Sequence, residues 1–203
     1  KEERFRRDHN CFGSGEVLVL GIGPGDEALI APMAIEAMKK ADVVAGYKTY
    51  LDLITPHLEG KEIIGTGMMQ EVARCEAALA AAIEGKKVVV VSSGDAGVYA
   101  MAGLVLELAL EVEPEKRPLI QIVPGISAVN AAAALLGAPL MHDFAVISLS
   151  DLMTSWDVIE KRLHMAAEGD FVVALYNPKS KKRTWQIEKV QEIFLQCRGE
   201  NTP

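Results

Sequence analysis

Four consecutive valines, Val88–Val91, stand between Lys87 and the turn signal Ser92-Ser93-Gly94. A strand with one wet face alternates apolar and polar residues, so an unbroken apolar run needs cover on both faces. β-branched side chains also favour extended backbone over helix. The run therefore predicts an inner strand of a parallel sheet with helices above and below it. The surrounding chain has the matching rhythm. Val17–Gly21, Asp42–Ala45, Glu62–Ile64 and Leu119–Val123 read as further strands. Ala28–Lys40, Tyr47–Leu58 (broken near Pro56), Glu71–Glu84, Gly97–Val112 and Ile126–Leu136 read as helices between them. Pro32 falls in the first turns of its helix, where a missing N–H is tolerated, and Gly85, Gly137 and Pro139 act as stops. This alternation specifies an α/β fold.

After Pro139 the pattern changes. Phe144–Leu149 and Phe171–Tyr176 read as strands, Trp156–Ala167 and Thr184–Leu195 as helices. A boundary near residues 137–141 separates a parallel-sheet N-terminal domain (16–138) from a smaller α/β C-terminal domain (139–203), and residues 1–15 read as a polar tail or the remnant of an upstream segment. The last helix stops where the alternation would place another strand, so the C-terminal domain is expected to be incomplete.

Composition narrows the function classes. Aromatic residues are 5% of the chain against 50% hydrophobic residues in all, which favours helix-on-sheet packing over a β-sandwich. A net charge of -7 argues against nucleic acid or an anionic membrane as partner, while a local basic cluster could still receive a small polyanion. No apolar run reaches the ~18 residues of a membrane span. The charged start, Lys1–Arg7, lacks the apolar segment of a secretory signal. Cys11, Cys75 and Cys197 are odd in number and widely spaced, suiting neither a disulfide framework nor a zinc site, so a reducing cytoplasm is expected. His9, His57, His142 and His164 are scattered too, and no metal is expected; His9 with Cys11 belongs to the tail.

Three strands end in glycine-bearing loops: Gly21-Ile-Gly-Pro-Gly25, Ser92-Ser-Gly-Asp-Ala-Gly97 and Pro124-Gly-Ile-Ser127. Ligands collect at the carboxyl ends of parallel strands, and glycine lets backbone come close to them, so three such loops predict a ligand cleft. The first loop is not a dinucleotide fingerprint. Its third glycine comes one residue early, Pro24 precedes it, and Asp26 stands where the last glycine of Gly-x-Gly-x-x-Gly belongs. No Gly-Lys-Ser/Thr follows, which excludes a P-loop. Taken alone, the loop could also be a turn that serves compact packing only.

Together, Val19-Leu-Gly-Ile-Gly-Pro-Gly-Asp26, Ala41-Asp-Val-Val44, Ser93-Gly-Asp95 with Tyr99, and Pro124-Gly-Ile-Ser-Ala128 resemble the tetrapyrrole methylases, class III methyltransferases. The resemblance runs in order from about Val17 to the C-terminus. Within the family, Gly46-Tyr-Lys-Thr-Tyr50, Ser148-Leu-Ser-Asp-Leu-Met-Thr154 and Tyr176-Asn-Pro-Lys-Ser180 are most similar to enzymes that methylate C17 of precorrin-3B or cobalt-factor III, with ring contraction. The resemblance implies a homodimer and a cleft between two α/β domains holding S-adenosylmethionine. It implies that Pro24 borders the cofactor, that Ser93, Gly94 and Asp95 line it, that Val98 packs on it, that Ser127 and Ala128 contact it, and that Tyr176 approaches from the second domain. The implied substrate is a tetrapyrrole polycarboxylate.

The chemistry accords with the absence of a catalytic triad in the sequence. Methyl transfer from a sulfonium to carbon releases a neutral thioether, so positioning and a dry cleft supply much of the rate. Tyr47 occupies the position where some relatives carry a catalytic aspartate; it could act as base or shape the substrate trough, and tyrosine is a poor base near neutral pH. Lys48 is the preferred basic contact for a substrate carboxylate. Asp95 could orient the cofactor, or cap a helix starting near Gly97, or do both. Lys179-Ser-Lys-Lys-Arg183 could reach into the trough or be a solvated helix start, and Met68-Met69 could face substrate or fill the core. Three other functions fit less of the pattern: another branch of the family acting on a different corrin carbon, diphthamide or ribosomal RNA; a nicotinamide-dependent oxidoreductase; and a non-catalytic ligand-binding module.

Overall fold

The computed structural model describes residues 15–67, 69–180 and 183–202. By contact the chain divides into two compact units, the first ending at Ala128 and the second starting at Val129.

The first unit is a five-stranded sheet in the order β3-β2-β4-β1-β5, with every pairing parallel. Its strands are β1 (Glu16–Gly21), β2 (Val43–Tyr47), β3 (Glu62–Thr66), β4 (Lys87–Ser92) and β5 (Leu119–Val123). The valine run is β4, and it lies at the centre. Val88 and Val90 point to one face and pack with α3 (Glu71–Ile83) and α4 (Ala102–Glu111). Val89 and Val91 point to the other and pack with α1 (Pro32–Lys40) and α2 (Lys48–Leu53). The strand's period of two thus feeds two cores, and all four valines are buried.

Two predicted helices start later than their sequence suggests. The segment 28–40 is split. Asp26 caps a short 3-10 turn, Glu27–Leu29, by accepting from the Ala28 N–H at 2.9 Å, and α1 begins only at Pro32. Proline forces the residue before it out of the helical region, and Ala31 is accordingly extended, φ -60°, ψ 137°. The segment 97–112 also loses its first turn. Residues 97–101 form irregular backbone in which Tyr99 is left-handed (φ 50°), and α4 starts at Ala102.

The second unit begins with α5 (Ala128–Leu135, its first residue closing the first unit), so the division lies upstream of the break expected at 137–141. Its sheet is the parallel pair β6 (Phe144–Ser148) and β7 (Val172–Tyr176), linked by α6 (Trp156–Glu168) and followed by α7 (Gln186–Leu195). Ile147, Leu149, Ile159, Leu163, Val190 and Ile193 make its core. No helix among the described residues is long and apolar enough to cross a membrane.

Candidate active site

The position of the site follows from the connections. β1 and β4 are neighbours, yet β1 leads through α1 to one face of the sheet and β4 leads through α4 to the other. Their carboxyl ends therefore form a topological switch point, where open α/β sheets leave a crevice. Strand register brings Gly21 beside Ser92 and Leu20 beside Val123, so the three glycine loops leave the sheet side by side.

These loops are clasped to one another. The Gly23 N–H donates to the Gly94 carbonyl at 3.0 Å, and the Gly94 N–H donates to the Gly23 carbonyl at 2.7 Å. Asp95 accepts from the Gly97 N–H through Oδ1 at 2.8 Å and from the Gly125 N–H through Oδ2 at 2.9 Å. A Cβ on Gly21 would meet the Gly94 carbonyl oxygen at 2.5 Å and the Gly125 nitrogen at 2.8 Å. The glycines at positions 21 and 125 thus let backbone approach backbone. Four loop amides that could have cradled a phosphate, those of Gly23, Gly94, Gly97 and Gly125, are engaged within the protein, unlike a phosphate-binding nest. Asp95 does not cap a helix, since α4 starts at Ala102; it forms a local turn and ties the second loop to the third.

Among the residues singled out from sequence, Pro24, Ser93, Gly94, Asp95, Ser127 and Ala128 come together on this clasped edge. Gly94 lies against Ser127 and Ala128: a Cβ there would be 3.6 Å from the Ser127 Cα and 3.5 Å from the Ala128 nitrogen. Val98 closes the turn after Asp95, its N–H donating to the Asp95 carbonyl at 3.4 Å. In the second unit, the Tyr176 hydroxyl accepts from the Val129 N–H at 3.1 Å and so satisfies an amide in the first turn of α5.

Next to the clasp, toward β2 and β3, lies a cavity of about 300 Å³ lined by Tyr47, Tyr50, Glu71, Arg74, Ser92, Ser93, Tyr99, Ala100, Met101 and Leu104. The Tyr47 and Tyr50 rings meet edge to face at 5.3 Å, while the Ser92 hydroxyl accepts from the Met101 N–H at 3.3 Å. Lys48, at the start of α2, is exposed and is not among the lining residues. Among the described residues the cation in the wall is Arg74, which sequence reasoning passed over. A signal was available, because Arg74 heads the buried stripe of α3 that continues through Cys75, Ala78, Leu79 and Ala82.

Other candidates lie elsewhere. Met68 and Lys181-Lys182 fall outside the described residues, as do His9 and Cys11. Met69 is left-handed (φ 63°) and exposed. Arg183 is half-buried and donates from Nη1 to the Leu149 carbonyl at 2.7 Å and the Asn177 carbonyl at 3.3 Å, so it pins two loops of the second unit.

Comparison with known proteins agrees with this architecture. Residues 16–203 match the family described as Tetrapyrrole (Corrin/Porphyrin) Methylases. A Priestia megaterium protein named "Cobalt-factor III methyltransferase" is 51% identical over 191 residues, which are 93% of this chain and 35% of that protein. A Salmonella typhimurium protein named "Probable cobalt-factor III C(17)-methyltransferase" is 48% identical over 189 residues, 91% of this chain and 76% of that one. The chain therefore spans about a third of the first relative and about three quarters of the second. The crystal structure of the methyltransferase CobJ superposes with a TM-score of 0.85 at 47% identity, covering 91% of this chain and 77% of that one. With its glycine loops clasped at the switch point of a parallel sheet and the family match running from β1 through the second unit, this chain belongs to the tetrapyrrole (corrin/porphyrin) methylases.

Proposed function

We propose that this protein is an S-adenosylmethionine-dependent methyltransferase acting at C17 of cobalt-factor III or precorrin-3B in cobalamin synthesis, with contraction of the macrocycle. The observation that carries this reading is the 51% identity, across 93% of the chain, to a protein named for methylation of cobalt-factor III. The internally bonded glycine loops support it against a nicotinamide enzyme, because a pyrophosphate would need free amides there.

S-adenosylmethionine would supply a methyl group on sulfonium sulfur, leaving as a neutral thioether. In this reading the chain's own residues hold and orient the partners. Pro24, Ser93, Gly94, Asp95, Val98, Ser127 and Ala128 bind the donor; Tyr176 is a further donor contact that the family resemblance implies. Asp95 serves mainly by fixing the loops, since both its oxygens already accept amide hydrogens. Tyr47 shapes the trough for the tetrapyrrole, its ring set by contact with Tyr50, and Lys48 meets a carboxylate at the rim. The same proposal includes a cytoplasmic homodimer with a small-molecule rather than nucleic-acid partner. Its support is the net charge of -7 and the exposed Leu135 and Leu136 at the end of α5.

Isothermal titration with S-adenosylmethionine and S-adenosylhomocysteine, with NAD as control, tests the class. Both sulfur ligands should bind and NAD should not. Folded protein that binds NAD, or neither sulfur ligand, would remove the methyltransferase reading. Turnover of cobalt-factor III or precorrin-3B to a product heavier by one methyl group tests the substrate.

A further inference from the structure

Resting on the proposed function, we infer that Arg74 is the anchor for a ligand carboxylate in the cavity beside the clasped loops. Arg74 is 2% exposed and belongs to the cavity wall. Its partners among the described residues are all neutral. Nε donates to the Thr66 hydroxyl at 2.7 Å, Nη2 to the Gly67 carbonyl at 3.2 Å, and Nη1 makes a weak contact with the Met101 sulfur at 3.9 Å. A guanidinium has five N–H groups, so these contacts leave two, one on each η nitrogen, without an acceptor among the described residues.

No carboxylate among the described residues lies within 4.0 Å of Arg74. Glu71 shares the wall, but its Oε1 accepts from the Met69 N–H at 3.3 Å. A buried cation without a carboxylate in ion-pair contact is costly, and a neutral residue of similar volume would pack here more readily. The partners at Nε, Nη1 and Nη2 hold the planar fork in place before any ligand arrives. A prearranged fork suits a carboxylate, which accepts two parallel N–H groups. The Tyr47 and Tyr50 rings, set edge to face in the same wall, offer apolar area that a ring system or an aliphatic stem would cover.

Two ligands of the proposed reaction carry carboxylates: the tetrapyrrole on its side chains, and the methyl donor on its amino-acid end. The test measures dissociation constants of wild type, Arg74→Gln and Arg74→Lys for uroporphyrin III, a stable tetrapyrrole polycarboxylate, and for S-adenosylhomocysteine. 5′-Methylthioadenosine, which lacks the amino-acid end, is the third probe. Arg74→Gln should weaken one carboxylate ligand by roughly tenfold or more while binding of 5′-methylthioadenosine stays unchanged. Loss for uroporphyrin alone assigns the carboxylate to the tetrapyrrole, and loss for S-adenosylhomocysteine alone assigns it to the donor. Should Arg74→Gln not fold, Arg74→Lys decides, since it keeps the charge and loses the fork; it should bind the same ligand measurably more weakly. A lowered melting temperature with all dissociation constants at wild-type values would mean a structural arginine and would overturn the inference. Wild type binding none of the probes would instead overturn the proposed function, and the anchor with it.

Discussion

The Asp95 carboxylate and the Gly125 amide, 30 residues apart in the chain, are joined by a hydrogen bond of 2.9 Å that ties the loop after β4 to the loop after β5. The other Asp95 oxygen holds the Gly97 N–H, so a single side chain sets the backbone of two loops at the switch point. Replacing it by alanine strands both amides. Asp95→Ala should lose roughly 2 kcal/mol or more of stability by thermal melting, with Asp95→Asn, which keeps one oxygen acceptor, losing less. Wild-type stability in Asp95→Ala together with abolished binding of S-adenosylhomocysteine would mean that its carboxylate serves the ligand and not the loops.

Gly125 tests the same clasp from the other side. A Cβ there would collide with the Gly94 carbonyl and lie 2.7 Å from Gly21 backbone atoms, none of which can move without opening the sheet edge. Gly125→Ala should cost at least about 2 kcal/mol. Gly103, in the first turn of α4, is the internal control, since a Cβ there meets nothing within 4 Å. Gly103→Ala should stabilise by about 0.5–1 kcal/mol. Equal melting temperatures for the two variants would contradict the packing described for Gly125.

Much of this was legible in the sequence. Val88–Val91 announced a strand buried on both faces, and Gly23, Gly94 and Gly125 lie where chain reversals meet. The misplaced helix start at Gly97 has a local cause. Asp95 takes the Gly97 amide into a turn, and the left-handed Tyr99 cannot continue a helix, so propensity loses to side-chain bonding and backbone geometry. Arg74 was missed for another reason. Motif reading looks at loops, whereas Arg74 lies on a helix and matters through Thr66, Gly67 and Met101, none of which adjoins it in sequence.

Burial pushes the Cys75 thiol from its ordinary value of 9.0 up to about 11; the nearby Arg74 guanidinium pulls it down, and Glu71 and Glu76 add smaller upward pushes. Folded protein therefore keeps this proton to higher pH than unfolded chain does. The resulting stability is fully present below pH 9 and is lost as pH rises from there through about 11. Melting temperatures from pH 8 to 11 should fall less steeply in Cys75→Ala than in wild type, the difference approaching an order of 2 kcal/mol. A thiol reagent at pH 8 should label the exposed Cys197 long before Cys75. Parallel alkaline slopes, or early labelling of Cys75 in the native protein, would refute the assignment.

The charge run at 179–183 separates into residues with different work. Lys179 is exposed, while the Arg183 side chain is 15% exposed and reaches two loop carbonyls, those of Leu149 and Asn177, with Asp151 Oδ1 at 3.6 Å from its Nε. Asn177 is itself left-handed (φ 51°) and donates from Nδ2 to the Ser148 hydroxyl at 3.0 Å, so the loops after β6 and β7 are knitted by one arginine and one asparagine. Removing the guanidinium leaves the Leu149 carbonyl without that donor and the Asn177 turn unheld. Arg183→Ala should destabilise by about 2 kcal/mol and raise amide exchange across 149–151 and 177–180. Lys179→Ala should stay within about 0.5 kcal/mol of wild type. If the run instead served only to attract an anionic substrate, both variants would melt like wild type and both would weaken uroporphyrin binding in a salt-dependent way. Exchange rates at Leu149 separate the two cases directly, because an electrostatic role gives that amide no reason to open.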